Sequence, residues 1–308
     1  MPYCGIERRG ASSRRGKPIG LVLTFRAPAK INLTLEVLAR RNDGYHGIRT
    51  VMVPLDMADE LVIEPSNRFT FACSRSELEE ESNLAVAALR ALGDLPTVRM
   101  ELRKRIPVQA GLGGGSSDAA AVLRAAMGGA FGAPGERDWM AIAHALGSDV
   151  PFFLAGTGAL VEGTGERVTP AGALPKWHAL VLKPPVSVST ADAYRAIDAI
   201  DRRLRPRNES ISLALLEALQ AKDFATVESL MQNDFEPVVC TRAPEIGAAL
   251  DALRAAGASN AMLAGSGSCV FTLTPDRGRL ESIGERLELP ANYERFACAF
   301  DATPEWVK

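Results

Sequence analysis

No stretch of this chain stays apolar for the roughly 20 residues that a helix needs to cross a bilayer; the alanine-rich run at 119–126 is short. An excess of one charge is also missing. The 35 Lys and Arg stand against 37 Asp and Glu, a formal net charge of -2, which gives no case for the clustered basic face of a nucleic-acid binder. Cysteine is sparse: Cys4, Cys73, Cys240, Cys269 and Cys298 are odd in number, widely spaced and without a C-x-x-C pair. That argues against a disulfide framework or zinc site and fits buried thiols in a reducing cytoplasm. Acids are nearly absent from residues 1–20, where Arg8, Arg9, Arg14, Arg15 and Lys17 face Glu7 alone. This segment has no apolar h-region, so it reads as a disordered tail or an over-long start, with a transit peptide as the alternative.

What is present is ordinary for a globular protein: 308 residues, 47% hydrophobic and 23% charged. That length allows two domains of roughly 100–200 residues each. Strand pattern covers Leu21–Phe25, Ile31–Leu38, Val51–Leu55, Glu60–Glu64 and Val98–Leu102, with a turn at Asn42-Asp43-Gly44. Helical spacing covers Asn83–Leu92, Ser117–Met127 and Glu136–Leu146, and the glycine-rich Thr157–Val168 reads as a hairpin. From Ala179 the order restarts. Strands are expected at Ala179–Leu182, Ala261–Leu263, Cys269–Leu273 and Arg295–Ala299. Helices are expected at Ala191–Leu204, Ile211–Ala218, Asp223–Gln232, Glu245–Ala256 and Leu280–Arg286. Strands and helices mixed without strict alternation predict an α+β fold. Thr169–Pro175 marks the boundary between a domain at 21–171 and one at 172–308.

The strongest local signal is Pro107-Val108-Gln109-Ala110-Gly111-Leu112-Gly113-Gly114-Gly115-Ser116-Ser117, running into an alanine-rich helix. Four glycines in five positions let the backbone approach a ligand closely, and the N–H groups of the helix start point at an anion. One helix terminus gives a charge only about 0.3–1 kcal/mol, so a triphosphate needs a nest of donors together with a metal ion. The loop lacks the Gly-Lys-Ser/Thr ending of a Walker A sequence and never matches G-x-G-x-x-G. Taken alone, it could also be a linker ahead of a capped helix.

This stretch resembles the second motif of the GHMP kinases, and its longer glycine run is similar to the branch acting on 4-diphosphocytidyl-2-C-methyl-D-erythritol. Ala27-Pro28-Ala29-Lys30-Ile31-Asn32-Leu33 resembles the first motif and Leu263–Phe271 the third, glycine-rich one. The resemblance implies a ribosomal-S5-like first domain holding ATP and a ferredoxin-like second domain. It implies phosphoryl transfer to a substrate hydroxyl on the non-mevalonate route to isoprenoid precursors, with ATP as co-substrate and magnesium as the ion.

Gly147-Ser148-Asp149-Val150-Pro151-Phe152-Phe153 is also similar to that branch. Phosphoryl transfer to an alcohol needs a proton acceptor and nearby positive charge. The resemblance implies that Asp149 accepts the proton, with Lys30 paired to it and touching the hydroxyl or the phosphoryl group. Alone, Asp149 would read as an N-cap or turn residue and Lys30 as a solvated lysine. Asp43-Gly44-Tyr45-His46 resembles the cytidine-recognising turn, Tyr45 offering a stacking face and His46 hydrogen bonds; Tyr194, following Thr190, aligns with an aromatic closing on the base. Asn32 joins the substrate set, and Asn83 and Lys104 are implied for adenine, with a helix cap and a solvated lysine as their alternatives. Metal ligands are not assigned. The rival readings are a mevalonate- or homoserine-type GHMP kinase and a non-enzymatic binder on the same fold. A cytoplasmic monomer or homodimer, without membrane or nucleic-acid partner, is expected.

Overall fold

A computed structural model describes residues 22–42, 44–78, 83–199 and 210–301. The basic segment at 1–20, Asp43 of the expected turn and the end of the helix expected to reach Leu204 lie outside them. The elements are β1 (Leu23–Asn32), β2 (Thr34–Arg40), β3 (His46–Pro65), β4 (Thr70–Cys73), α1 (Leu84–Arg90), β5 (Val98–Arg103), α2 (Gly114–Met127), α3 (Trp139–Leu146), α4 (Val150–Ala155), β6 (Ala159–Gly163) and β7 (Arg167–Pro170). Then come β8 (His178–Lys183), α5 (Thr190–Asp198), α6 (Ile211–Gln220), α7 (Phe224–Leu230), β9 (Gln232–Asn233), α8 (Glu236–Arg242), α9 (Pro244–Ala255), β10 (Met262–Leu263), β11 (Val270–Thr274), α10 (Arg277–Arg286) and β12 (Glu294–Ala299). None of the described helices is long and apolar enough to cross a membrane.

The first sheet is organised by β3, which pairs antiparallel with β1, β2, β5 and β6 along its 20 residues. Helices α1 to α4 pack on one face of this sheet around Phe25, Ala27, Met52, Leu61, the alanines of α2, Phe152 and Phe153. The other face carries Ala29, Ile31, Val51, Val53 and Leu55 and meets the second sheet through Trp177, Val181 and Phe271. The second sheet is antiparallel in the order β10-β11-β8-β12. Numbered along the chain its strands lie 2-3-1-4, the ferredoxin-like order. One short strand crosses between the halves: β9 runs parallel to β2, pairing Gln232 and Asn233 with Thr34 and Leu35.

A register shift in β1 between Pro28 and Lys30 decides where Lys30 points. In a regular strand Phe25, Ala27, Ala29 and Ile31 would share one face. Here the first two face the helices and the last two the second sheet. A bulge turns the strand's faces over in this way, so Lys30 and Asn32 come to the helix side. The sequence pattern shows Leu21–Phe25 and Ile31–Leu38 as separate strands with a gap over Pro28; the structure runs β1 through that gap and breaks at Leu33 instead.

Candidate active site

Lys30, the glycine loop and Asp149 converge where β1, α2 and α4 meet. The Leu112 carbonyl accepts from the Lys30 backbone N–H at 3.0 Å, which fastens the loop alongside β1. Gln109, Gly111 and Gly113 take φ values of 51°, 76° and 73°, the left-handed region where glycine is preferred. Space demands glycine as well. A Cβ on Gly111 would lie 1.9 Å from the Ala264 carbonyl oxygen, and one on Gly113 2.8 Å from the Phe153 ring. Cys269 N–H donates to the Ala110 carbonyl at 3.1 Å, so the third glycine motif lies directly on the second. The helix begins at Gly114, within the glycines rather than after them, and its N-cap Gly113 offers no side chain. The first turn therefore keeps its N–H groups unspent by any cap.

Lys30 is buried, and its Nζ donates to Asn32 Oδ1 at 2.7 Å and lies 3.6 Å from Asp149 Oδ2. Asp149 occupies the N-cap position of α4, yet its side chain makes no cap hydrogen bond, so the carboxylate is left for the lysine and for solvent. Two contacts steady the α4 segment. Arg124 of α2 donates to the carbonyls of Phe153 and Leu154 at 3.1 and 2.6 Å, and burial pushes its guanidinium down to about 10. Gly165, at the tip of the β6–β7 hairpin, presses on the turn before Asp149: a Cβ there would meet the Ser148 carbonyl oxygen at 2.0 Å. Behind Gly165, Glu166 accepts from Thr164 N–H and Oγ1 at 2.6 and 2.9 Å; although burial works against it, these bonds hold its carboxyl below the usual range.

Lys104 and Asn83 have their polar ends engaged in the fold. Lys104 Nζ donates to Asp59 Oδ2 at 2.5 Å and Asp118 Oδ2 at 2.6 Å, and its side chain is shielded from solvent. Burial opposes its charge, but the two carboxylates raise its pKa overall. Asp118, the fifth residue of α2, is pushed up to about 8, burial being the largest cause and Lys104 opposing it. Asn83 caps α1, accepting from Ala85 N–H at 3.0 Å and donating to the Leu78 carbonyl at 2.8 Å. In this structure Lys104 holds two acids beneath the loop and Asn83 starts a helix.

On the other side of the cleft, His46 at the start of β3 and Tyr194 on α5 stack with centroids 5.8 Å apart and planes 13° apart. His46 Nδ1 faces the Leu38 carbonyl at 2.9 Å and Nε2 faces Asp198 Oδ1 at 2.7 Å. Tyr45 is 70% exposed beside them. Thr190 Oγ1 lies 2.9 Å from Ser266 Oγ, tying the start of α5 to the third glycine motif. Asn32 is buried, its amide shared between Lys30 and Thr50. Three partners lay outside the sequence reading: Thr50, Asp59 and Asp198. Only Asp198 carried a local signal, standing four residues after Tyr194 on one helix face.

Two glycine motifs closed on each other beside a buried lysine paired with a part-exposed carboxylate define a small-molecule kinase site. The description "GHMP kinases N terminal domain" matches residues 82–157, and "GHMP kinases C terminal" matches residues 215–292. A 4-diphosphocytidyl-2-C-methyl-D-erythritol kinase of Deinococcus radiodurans is 39% identical over 85% of this chain and 87% of its own length. One of Symbiobacterium thermophilum is 44% identical over 82% and 92%. A crystal structure of 4-(cytidine 5'-diphospho)-2C-methyl-D-erythritol kinase superposes with a TM-score of 0.74 at 38% identity, over 90% of this chain and 98% of that one. The chain belongs to the GHMP kinases, and within them to the family whose members bear that kinase name. A homoserine kinase from Cytophaga hutchinsonii shares the fold, with a TM-score of 0.67 at 18% identity over 97% of this chain and 99% of that one.

Proposed function

We propose that this kinase transfers the γ-phosphoryl group of ATP to a hydroxyl of 4-diphosphocytidyl-2-C-methyl-D-erythritol, in the cytoplasm and on the non-mevalonate route to isoprenoid precursors. The observation that carries it is the Lys30–Asp149 pair, 3.6 Å apart, beside a glycine loop whose first helical turn is uncapped. The backbone amides of residues 111–116 bind the phosphates; that of Ser117 is spent on the Gly113 carbonyl. Asp149, which is partly open to solvent, accepts the hydroxyl proton as the oxygen attacks the γ-phosphorus, and ADP leaves on the opposite side. Lys30 places its charge between acid and phosphoryl group, where charge builds up in the transition state.

Tyr45, His46 and Tyr194 receive the cytosine, with Tyr45 and Tyr194 offering stacking faces and His46 exchanging its Asp198 contact for the base edge. Thr190 and Ser266 lie between that base and the phosphate loop. A magnesium ion would be held with the nucleotide's phosphates and would supply positive charge there. Among the described residues no three His, Cys, Asp or Glu side chains gather as a metal cage. The loop's exit has hydroxyls instead, and Ser117 Oγ is buried without a hydrogen-bond partner. Such a site fits an ion held chiefly by phosphate oxygens and water, with Ser117 as its protein oxygen; when bound, the ion neutralises charge on the transferring group. The test is mass-resolved phosphorylation of the cytidyl-diphosphate alcohol with ATP and magnesium. A product heavier by one phosphoryl group is expected, and ATP left intact in its presence would overturn the reading.

A further inference from the structure

We infer that Thr50, a β3 residue that does not reach the substrate cleft, is a positioning residue for phosphoryl transfer, because it fixes which end of the Asn32 amide faces Lys30. This rests on the proposed role of Lys30 and deepens it. The argument is one of donors and acceptors. The Thr50 hydroxyl is fully buried and lies 2.5 Å from the Thr34 carbonyl. A carbonyl only accepts, so the single hydroxyl proton points there. What remains on Thr50 Oγ1 is lone pairs, and 2.8 Å away lies the Asn32 amide. Only the NH₂ end of Asn32 can face a lone pair, so its carbonyl end must turn the other way. There it meets the Lys30 ammonium at 2.7 Å, a group with donors alone.

The chain of bonds therefore has one permitted direction: Lys30 to Asn32 to Thr50 to Thr34. Thr34 is held in turn, since its hydroxyl accepts from Val51 N–H at 3.0 Å and lies 2.7 Å from Ser212 Oγ on α6. Every member is buried, so water does not substitute for a missing partner. A flipped Asn32 would present NH₂ to the ammonium, donor against donor, and push Lys30 away from Asp149. The register shift in β1 puts Lys30 and Asn32 on the face of β3 that Thr50 shares with Met52, which pairs with Asn32. Thr50 thus acts from the sheet, through an amide, on an ammonium in the cleft.

Thr50→Val keeps the shape and removes the hydroxyl, whereas Thr50→Ser keeps it. The valine variant is expected to lose about 10- to 100-fold in kcat, the usual cost of misplacing a charged group by about 1 Å. KM for ATP and for the cytidyl alcohol should stay within about twofold, and serine should recover most of the rate. A second readout does not depend on which alcohol is used. The Asn32 side-chain amide protons, followed by NMR, should exchange slowly in the parent and in Thr50→Ser and quickly in Thr50→Val. A double-mutant comparison adds a third: in an Asn32→Asp background there is no amide to orient, so Thr50→Val should cost nothing further. Parental turnover by Thr50→Val, a serine variant no better than valine, or equal exchange in all three proteins would overturn the inference. A parent inactive on the cytidyl alcohol would instead count against the proposed function, with the exchange measurement still deciding the role of Thr50.

Discussion

Asp149 sits at a helix start without capping it, so its replacement should touch chemistry and not the fold. Asp149→Asn is expected to lower kcat by about 10²–10⁴, the range for losing a general base, while ATP binding by calorimetry stays near parental. Tyr194 makes the opposite kind of contribution. A base–aromatic stack is worth about 1–3 kcal/mol, so Tyr194→Ala should raise KM for the cytidyl alcohol by roughly 5- to 150-fold with kcat little changed, read from initial rates. Lys30, Asp149, His46 and Tyr194 were legible in the sequence because each stands in a short motif. Their keepers were not. Thr50 is 18 residues from Asn32, Asp59 is 45 from Lys104, and Asp198 is 152 from His46. Such pairings leave no local periodicity, and a lone polar residue in a strand looks like any solvent-facing one.

The elements show the same division. Most of the longer helices were visible, while the two-residue β9 and the 6-residue α4 were too short to carry a pattern, and α8, no shorter than the visible α1 and α7, has a proline in its first turn. The gap between the two expected strands is spanned by β1, where a bulge accommodates Pro28, which cannot donate to a ladder. The β6–β7 hairpin was expected, although its task of buttressing the Asp149 turn was not. Gly165→Ala tests that task. The new Cβ would meet the Ser148 carbonyl, and at φ 109° a side chain is strained in any case, so the turn must shift. A fall in kcat exceeding any change in the ATP dissociation constant is the expected result in rapid-quench and binding measurements.

For the molecule as a whole, the acid–lysine–acid cluster under the glycine loop makes stability depend on pH. Asp118 holds its proton to about 8 in the folded protein against about 3.9 unfolded. Between those values the folded state binds more protons than the unfolded one, so this group makes stability fall as pH rises, at up to roughly 1.4 kcal/mol per unit, and the fall ends above about 8. Asp118→Asn removes the titration, so denaturant unfolding across pH 5–9 should show a flatter profile than in the parent. The short parallel strand β9 carries a consequence for biosynthesis. Residues 232–233 complete the edge of a sheet begun at residue 23, and the backbone N–H groups of Phe300 and Asp301 bond to Trp177 and Pro54. As the chain leaves the ribosome, the first sheet must therefore wait, with Ile31, Val53 and Leu55 bare on one face, until residues 300 and 301 have emerged.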